Sequence, residues 1–299
     1  MKYYTIKETA KRWGISEQLV RRYCRQGRIS NLIQEDGNWL IPEGTNKPHS
    51  LREKEPETLT PLAKKVVYQR SKNNHFGIYE YIQVNLAYSS NRMASNRLTR
   101  TQVEEIYRTN KIATAFEPMK VDDIIETINH FACVQYVVDN ITTPLTQSFI
   151  KKLHYILTYG TYSDRKHKVG SGEYRTGTNK IGVPPREINR ALGELIKEYE
   201  KRPADFERIL DFHVRFERIR PFDDYNGRVG RIVMVKECLR YGVDPFIVDD
   251  KRRGAYNRGI AMWDESPEVF RTVCGEAQER FRAKMELCRL MQYRRLPKN

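Results

Sequence analysis

One short stretch of the chain combines a carboxylate, an Asn-Gly pair and two arginines. It runs Arg220-Pro221-Phe222-Asp223-Asp224-Tyr225-Asn226-Gly227-Arg228-Val229-Gly230-Arg231. Pro221 disfavours helix at the residue before it, so we expect one helix to end at Arg220 and a second to begin at about Arg228. Backbone N–H groups and the helix dipole favour an anion at such a helix start, and arginines can clamp phosphate oxygens. The stretch therefore predicts a polyphosphate site.

Asp224 is the candidate metal ligand of this stretch. Magnesium is commonly held by one or two carboxylates together with substrate phosphate oxygens. A second acidic pair, Asp249-Asp250, has no phosphate-binding elements beside it. We therefore expect Mg²⁺ to be shared between Asp224 and the phosphates.

The same stretch resembles the signature of the Fic family, His-Pro-Phe-x-Asp/Glu-Gly-Asn-Gly-Arg-x-x-Arg. The resemblance extends from about Gly77 into the 280s. It implies a helical-bundle enzyme that transfers AMP from ATP, with Mg²⁺, to a hydroxyl side chain of a target protein or of itself. Carried over by position, it assigns Mg²⁺ to Asp224, the α- and β-phosphates to Asn226 and Gly227, the triphosphate tail to Arg228 and Arg231, and the surroundings of the base to Tyr256.

Two positions inside the signature differ from it. Arg220 stands where the family has its catalytic histidine, the base that takes the proton of the target hydroxyl. A guanidinium has no acceptor lone pair and stays protonated, and loss of a general base typically lowers the rate by about 10² to 10⁴. Tyr225 stands where the family has glycine. If this position needs positive φ, the tyrosine side chain costs roughly 1 to 2 kcal/mol. We therefore expect AMP transfer by this copy to be impaired.

A third difference lies upstream. The stretch Ser90-Asn91-Arg92-Met93-Ala94-Ser95-Asn96-Arg97-Leu98-Thr99 resembles the inhibitory motif of the family, whose glutamate pairs with the second arginine. The inhibitory helix is expected near 78–95, with Ser90 in the motif and Ala94 in place of the glutamate. Arg231 would then have no inhibitory partner. The alternative is that Ala94 is an ordinary helix former. Two origins of these differences remain open. The residues were substituted by engineering in an active, autoinhibited and toxin-like enzyme, or catalysis was lost naturally.

The segment from Gly172 to Gly182 contains three glycines and alternating residue types, which suggest a short exposed hairpin. It resembles the target-binding flap of the family, to which an extended peptide can add as a strand. The candidate flap residues are Tyr174, Arg175, Thr176 and Ile181.

The amino-terminal fifty residues have a different pattern. Thr5 and Glu8 have the spacing of a capping box, Gly14 ends the first helix, and Ser16 can cap a second. Two short strands, 32–34 and 39–41, follow around the turn dipeptide Asp36-Gly37. The segment resembles the small winged helix-turn-helix of the excisionase and MerR type.

This amino-terminal module predicts DNA binding through its second helix. Arg21, Arg22 and Arg25 share one face of that helix, which is placed for the major groove. One small module binds weakly, so a homodimer that reads two half-sites is expected. The alternative is a module that docks another protein, with its arginines merely solvated.

Composition and charge set limits on these interpretations. The 299 residues carry a formal charge of +15, which favours an anionic partner, and 39% of them are hydrophobic, enough for a sizeable core. The longest apolar runs are too short for a membrane helix, and the five scattered cysteines predict reduced, structural thiols, so we expect a cytoplasmic protein.

The expected architecture is mainly α. A winged helix-turn-helix at 1–50, a proline-rich linker at 51–72 and a Fic-type helical bundle at 73–299 with its β-hairpin flap are predicted. The leading hypothesis is a protein adenylyltransferase. The alternatives are a nucleotide-sensing, DNA-binding transcriptional regulator on a catalytically inactive Fic fold, and an enzyme of altered chemistry in which Arg220 binds a substrate phosphate. His154 and His213 are expected to be structural.

Overall fold

The computed structural model describes residues 3–25, 29, 32–35, 38–45, 59–72, 76–112, 119–166, 170–178 and 181–294. The chain forms two compact units, Met1–Glu57 and Thr58–Asn299. Within the described ranges, no helix has the length and apolar character needed to span a membrane. The mainly helical architecture is as predicted.

The first unit contains two helices and a small sheet. Its elements are β1 (Tyr3–Thr5), α1 (Ile6–Trp13), α2 (Glu17–Arg25), β2 (Ile33–Glu35) and β3 (Asn38–Pro42). The sheet has the order β1-β3-β2 and both strand pairs are antiparallel. Strand β1 was not predicted, because three residues before a helix cap carry no strand pattern. The predicted turn Asp36-Gly37 lies outside the described residues.

Local chemistry explains the two helices of this unit. The Thr5 hydroxyl accepts from the Glu8 N–H, and the Glu8 carboxylate accepts from the Thr5 N–H, which is the predicted capping box. Gly14 ends α1 at a φ of 64°. Helix α2 buries Val20 and Tyr23 in the core of the unit. The three arginines predicted for DNA contact are exposed on α2: Arg21, Arg22 and Arg25.

The second unit is a helical bundle. Its helices are α3 (Pro61–Ser71), α4 (Ile78–Met93), α5 (Arg100–Thr109), α6 (Val121–Asp139), α7 (Gln147–Thr158), α8 (Tyr162–Lys166), α9 (Pro185–Tyr199), α10 (Phe206–Ile219), α11 (Asn226–Tyr241), α12 (Arg253–Ala261) and α13 (Glu268–Arg294), with a 3₁₀ turn at Asp250–Arg252. Helix α11 lies at the centre and packs against α10, α4, α6 and α7. Its first turn therefore projects from a rigid, buried element.

Helix α3 lies inside the segment predicted as a linker. Pro61 is tolerated in the first turn of a helix, and the Thr60 hydroxyl caps it by accepting from the Ala63 N–H. Ala63 and Val66 are completely buried in the core of the bundle. Prolines therefore mark a helix start here, and residues 51–58 of the predicted linker lie outside the described residues.

The five cysteines are free and buried, as predicted for structural thiols. Burial raises the pKa of the Cys133, Cys238 and Cys274 thiols well above its ordinary value. These side chains act as small apolar groups of the core.

Candidate active site

The loop between α10 and α11 is held by its own side chains. The Asn226 amide donates to the Phe222 carbonyl (2.8 Å), and its oxygen accepts from the Phe222 N–H (3.0 Å). The Phe222 ring stacks on His154 at 3.9 Å between ring centroids. Asn226 therefore uses its side chain to close the loop, which leaves its backbone for the predicted contact with phosphate.

An open cleft of about 280 Å³ lies against this loop. It brings together residues from α4, α10, the loop, α11 and α12. Among its lining residues are the sequence-predicted Ala94, Arg220, Asp224, Gly227, Arg228, Arg231 and Tyr256. Glu217, Tyr225, Arg253 and Asn257 also line it, and none of the four was predicted as a site residue.

Arg231 has a partner in the structure. Its Nε donates to the Ser90 hydroxyl (2.9 Å) and one terminal nitrogen donates to the Ser90 carbonyl (3.1 Å). Gly227 makes room for the guanidinium, since a Cβ there would lie 2.9 Å from it. The predicted motif thus contacts Arg231 through Ser90. Ala94 lines the same cleft just beyond the end of α4, so its propensity for helix interiors does not explain it.

Arg228 is paired with a carboxylate that the sequence analysis did not single out. Its guanidinium lies 2.9 Å from Glu126 of α6 and is 4% exposed. The Tyr225 ring lies below it at 3.3 Å from the centroid, and Asp224 is 3.5 Å from its other terminal nitrogen. Glu126 lies about a hundred positions before Arg228, so no local spacing marks it.

Arg220 occupies the end of α10 with a φ of 47°. Its side chain is half-buried and lines the cleft. One turn earlier, the Glu217 carboxylate also faces the cleft, and its Oε1 has no hydrogen-bond partner among the described residues. Burial raises the pKa of Glu217, while Arg231 and Arg220 act to lower it. The i, i+3 spacing from Arg220 is the signal that would have pointed to Glu217.

Asp224 is suited to bind one metal ion together with phosphates. Its side chain is 70% exposed at the edge of the cleft, and its Oδ1 accepts from the Tyr225 N–H (2.6 Å). The described ranges hold no group of three or more His, Cys, Asp or Glu that could bind a metal. A single carboxylate fits Mg²⁺ that takes its other ligands from phosphate and water.

Tyr256 and His213 form the buried wall behind the arginines. The Tyr256 hydroxyl lies 2.5 Å from the His213 Nε2, and both residues are almost completely buried. Burial lowers the pKa of His213 to about 3, so the ring is neutral at physiological pH. His213 thus has the structural position expected, and His154 does too, since its Nδ1 accepts from the Gly172 N–H.

The predicted flap is not a strand pair over its described residues. Arg175 instead binds residues 220 and 221: its N–H donates to the Pro221 carbonyl (3.0 Å) and its Nε to the Arg220 carbonyl (2.7 Å). The Val183 N–H donates to the Ile219 carbonyl (3.4 Å). Backbone donors on both arms are thus satisfied by the end of α10. Tyr174 is half-buried, whereas Thr176 and Ile181 are exposed.

Comparisons with known proteins agree with this geometry. Residues 144–238 match the sequence model of the Fic/DOC family. That range contains the flap, the loop and three of the arginines that line the cleft, Arg220, Arg228 and Arg231. This segment of the chain is similar in sequence to the Fic/DOC family.

Solved structures of Fic proteins share the fold. A Fic domain containing signaling protein from Bacteroides thetaiotaomicron is 18% identical with a TM-score of 0.59, over 77% of this chain and 90% of that one. A Fic family protein from Desulfovibrio desulfuricans is 19% identical with a TM-score of 0.57, over 78% and 76%. Fic-1 from C. elegans is 17% identical with a TM-score of 0.55, over 75% and 70%. No curated protein matches the chain.

Fic domain proteins generally transfer a nucleoside monophosphate to proteins, and they typically use a nucleoside triphosphate with Mg²⁺. Ala94, Glu126 and Tyr256 line or support the cleft from outside the matched range. The cleft of the segment that matches the Fic/DOC model is thus completed by α4, α6 and α12.

Proposed function

We propose that this protein is an adenylyltransferase that moves AMP from ATP, with Mg²⁺, to a hydroxyl side chain of a target protein or of itself, and that Arg220 impairs this copy. The observation that carries the proposal is the single cleft in which Arg228, Arg231, Gly227 and Asp224 converge. Two arginines and an exposed carboxylate beside a helix start are the groups that hold a polyphosphate and its metal.

The cleft residues divide the work in this proposal. Gly227, in the first turn of α11, admits phosphate oxygens. Arg231 orients the triphosphate tail, and Ser90 holds Arg231 in place. Asp224 would hold the magnesium ion, which neutralises phosphate charge when bound. Arg220 stands where a base must accept the proton of the target hydroxyl, and its guanidinium cannot accept it. In this proposal nucleotide binding is retained and transfer is impaired.

Transfer of AMP from α-labelled ATP in a lysate, with magnesium, tests the proposal. The chain is compared with Arg220→His and with Arg220→His carrying Ala94→Glu. We expect Arg220→His to label itself or a host protein at least a hundredfold faster than the chain itself, because a general base typically contributes about 10² to 10⁴. The added glutamate faces the cleft beside Arg231 and should suppress the labelling.

A different result would select an alternative. If none of the three proteins transfers label while ATP still binds, the adenylyltransferase proposal is abandoned in favour of a nucleotide-sensing regulator. If the unmodified chain transfers label and Arg220→Ala abolishes this, Arg220 binds a substrate phosphate in an enzyme of altered chemistry.

For the first unit we propose DNA binding, as a homodimer and in the cytoplasm. The exposed arginines of α2 and the small sheet of the same unit support this. Footprinting on the protein's own promoter at low and moderate salt tests it, and absence of protection at both would contradict it. A change of DNA affinity on adding ATP would favour the regulator, since coupling between two sites must appear in both directions.

A further inference from the structure

Arg228 already has a charged partner. The 2.9 Å contact joins an Arg228 terminal nitrogen to the Glu126 Oε1, and 4% and 15% of the two side chains are exposed. The same nitrogen has no directed hydrogen bond within the described part of the chain. The contact is thus electrostatic, and the buried nitrogen donates no well-directed hydrogen bond to Glu126.

Neighbouring groups hold Glu126 against Arg228. The Tyr225 hydroxyl donates to the Glu126 Oε1 (2.7 Å), and its ring lies below the Arg228 guanidinium. The Asn96 amide donates to the Glu126 Oε2 (3.2 Å). Asn96 follows directly after α4, the helix that carries Ser90, so the segment that restrains Arg231 also supports the partner of Arg228.

A phosphate that approaches Arg228 must therefore approach Glu126 as well. Two anions within a few ångströms of each other in a half-buried site repel more strongly than in water. Asp224 differs, because it is largely exposed and can pair with magnesium. Glu126 is largely shielded from solvent, so its charge opposes a ligand that approaches Arg228.

We infer that Glu126 determines the phosphate selectivity of the cleft by competing with the terminal phosphates of a nucleoside triphosphate for Arg228. The site then binds a triphosphate more tightly than a monophosphate by a smaller factor than it would if Arg228 and Arg231 were both fully available. The inference rests on the proposed nucleotide site and goes beyond it, because it assigns a specificity-determining role to a residue of α6.

Calorimetric titration of the full chain with ATP and magnesium, and separately with AMP, tests this role. In Glu126→Gln the affinity for ATP should rise roughly tenfold, about the contribution of one charge-assisted hydrogen bond. The affinity for AMP should change less than twofold, so the ratio of the two affinities rises. Tyr225→Phe removes only the hydroxyl that holds Glu126, and its ratio should rise by a smaller factor.

Glu198→Gln is the matched control. Glu198 pairs with Arg215 at 2.8 Å on the outside of the bundle, and its substitution should leave the ratio unchanged. Thermal unfolding checks that each variant is folded, and Tyr225→Phe carries the test if Glu126→Gln is not.

Two outcomes are distinct. If Glu126→Gln binds ATP clearly but its ratio of ATP to AMP affinity is unchanged or lower, the inference is overturned and the nucleotide site stands. Glu126 would then have no effect on selectivity, or would position Arg228 for phosphate. Absence of binding of either nucleotide to every variant would remove the proposed function itself.

Discussion

Two residues that differ from the Fic signature both adopt the left-handed backbone conformation. The φ angles are 47° at Arg220 and 63° at Tyr225. This conformation costs a residue with a side chain roughly 1 to 2 kcal/mol. At Tyr225 the cost is offset by burial of the ring, by the hydrogen bond to Glu126 and by the contact with Arg228. The tyrosine therefore contributes a support for Arg228 that glycine could not.

Ser90→Ala tests the contact that restrains Arg231. The substitution removes the hydroxyl that accepts from Arg231 Nε and leaves a buried charged donor without this acceptor. We expect the free energy of unfolding to fall by about 1 to 3 kcal/mol, measured by urea denaturation. Ser89→Ala is the control: Ser89 is buried on the same helix, and its change should be smaller than about 0.5 kcal/mol. Equal losses in the two variants would contradict the assignment.

At the scale of elements, the position of the cleft depends on the close approach of α10 and α11. At Gly230 of α11, an added Cβ would lie 2.7 Å from His213 Cε1 and 3.2 Å from Phe216 Cδ1, both on α10. These rings are buried and cannot move aside. The glycine thus lets α11 lie against the rings of α10, and this contact fixes the helix start that carries Asn226 and Gly227.

Gly230→Ala and Gly275→Ala form a matched pair of helix substitutions. Alanine is favoured over glycine in a helix interior by about 1 kcal/mol, and nothing lies within 4 Å of an added Cβ at Gly275. We expect Gly275→Ala to raise the free energy of unfolding by up to about 1 kcal/mol, and Gly230→Ala to lower it by about 1 to 3 kcal/mol through overpacking. Denaturant titration measures both. Stabilisation by Gly230→Ala would show that α10 and α11 can separate freely.

At the scale of the whole molecule, the described part of the bundle encloses three neutral histidines. His130 and His213 are completely buried and His154 nearly so. Burial, joined by the charge of Arg231, lowers the pKa of His130 and of His213 to about 3, and burial lowers that of His154 to about 4. The unfolded chain takes up protons at these residues below about pH 6.5, whereas the folded chain does not. Acid therefore favours unfolding between about pH 6.5 and the folded pKa values.

His130→Leu should reduce this loss of stability. One histidine with an unfolded pKa of about 6.5 and a folded pKa below 5 costs about 2 kcal/mol between pH 7 and pH 5. Between pH 7 and pH 5 the free energy of unfolding should fall in both proteins. We expect the fall to be about 2 kcal/mol smaller in the variant than in the parent. The raised pKa of the Glu217 carboxyl acts in the opposite direction, but it is common to both proteins. Denaturant titrations at the two pH values measure the difference, and parallel pH profiles would contradict it.

Local signals accounted for the helix ends and for much of the cleft. Pro221 placed the end of α10 within one residue, and the Thr5 and Glu8 spacing placed the start of α1. The signature residues from Asp224 to Arg231 lie within two turns of a single helix start, so their proximity follows from their spacing. Where a feature depended on contacts with distant residues, local signals were insufficient, as for helix α3 within the predicted linker and for the flap that binds the end of α10.

The sequence by itself determined the kind of cleft: a helix start with two arginines and a carboxylate, and an arginine at the position of the catalytic histidine in the Fic signature. Each of these properties depends only on a residue type or on a short spacing, and both are local features of the sequence. Only the tertiary structure decided which groups hold the arginines. Ser90 binds Arg231 across 141 positions, and Glu126 reaches Arg228 from α6. These partners meet because α4 and α6 pack against α11, and the hydrophobic core that brings them together is formed by residues spread over the whole bundle.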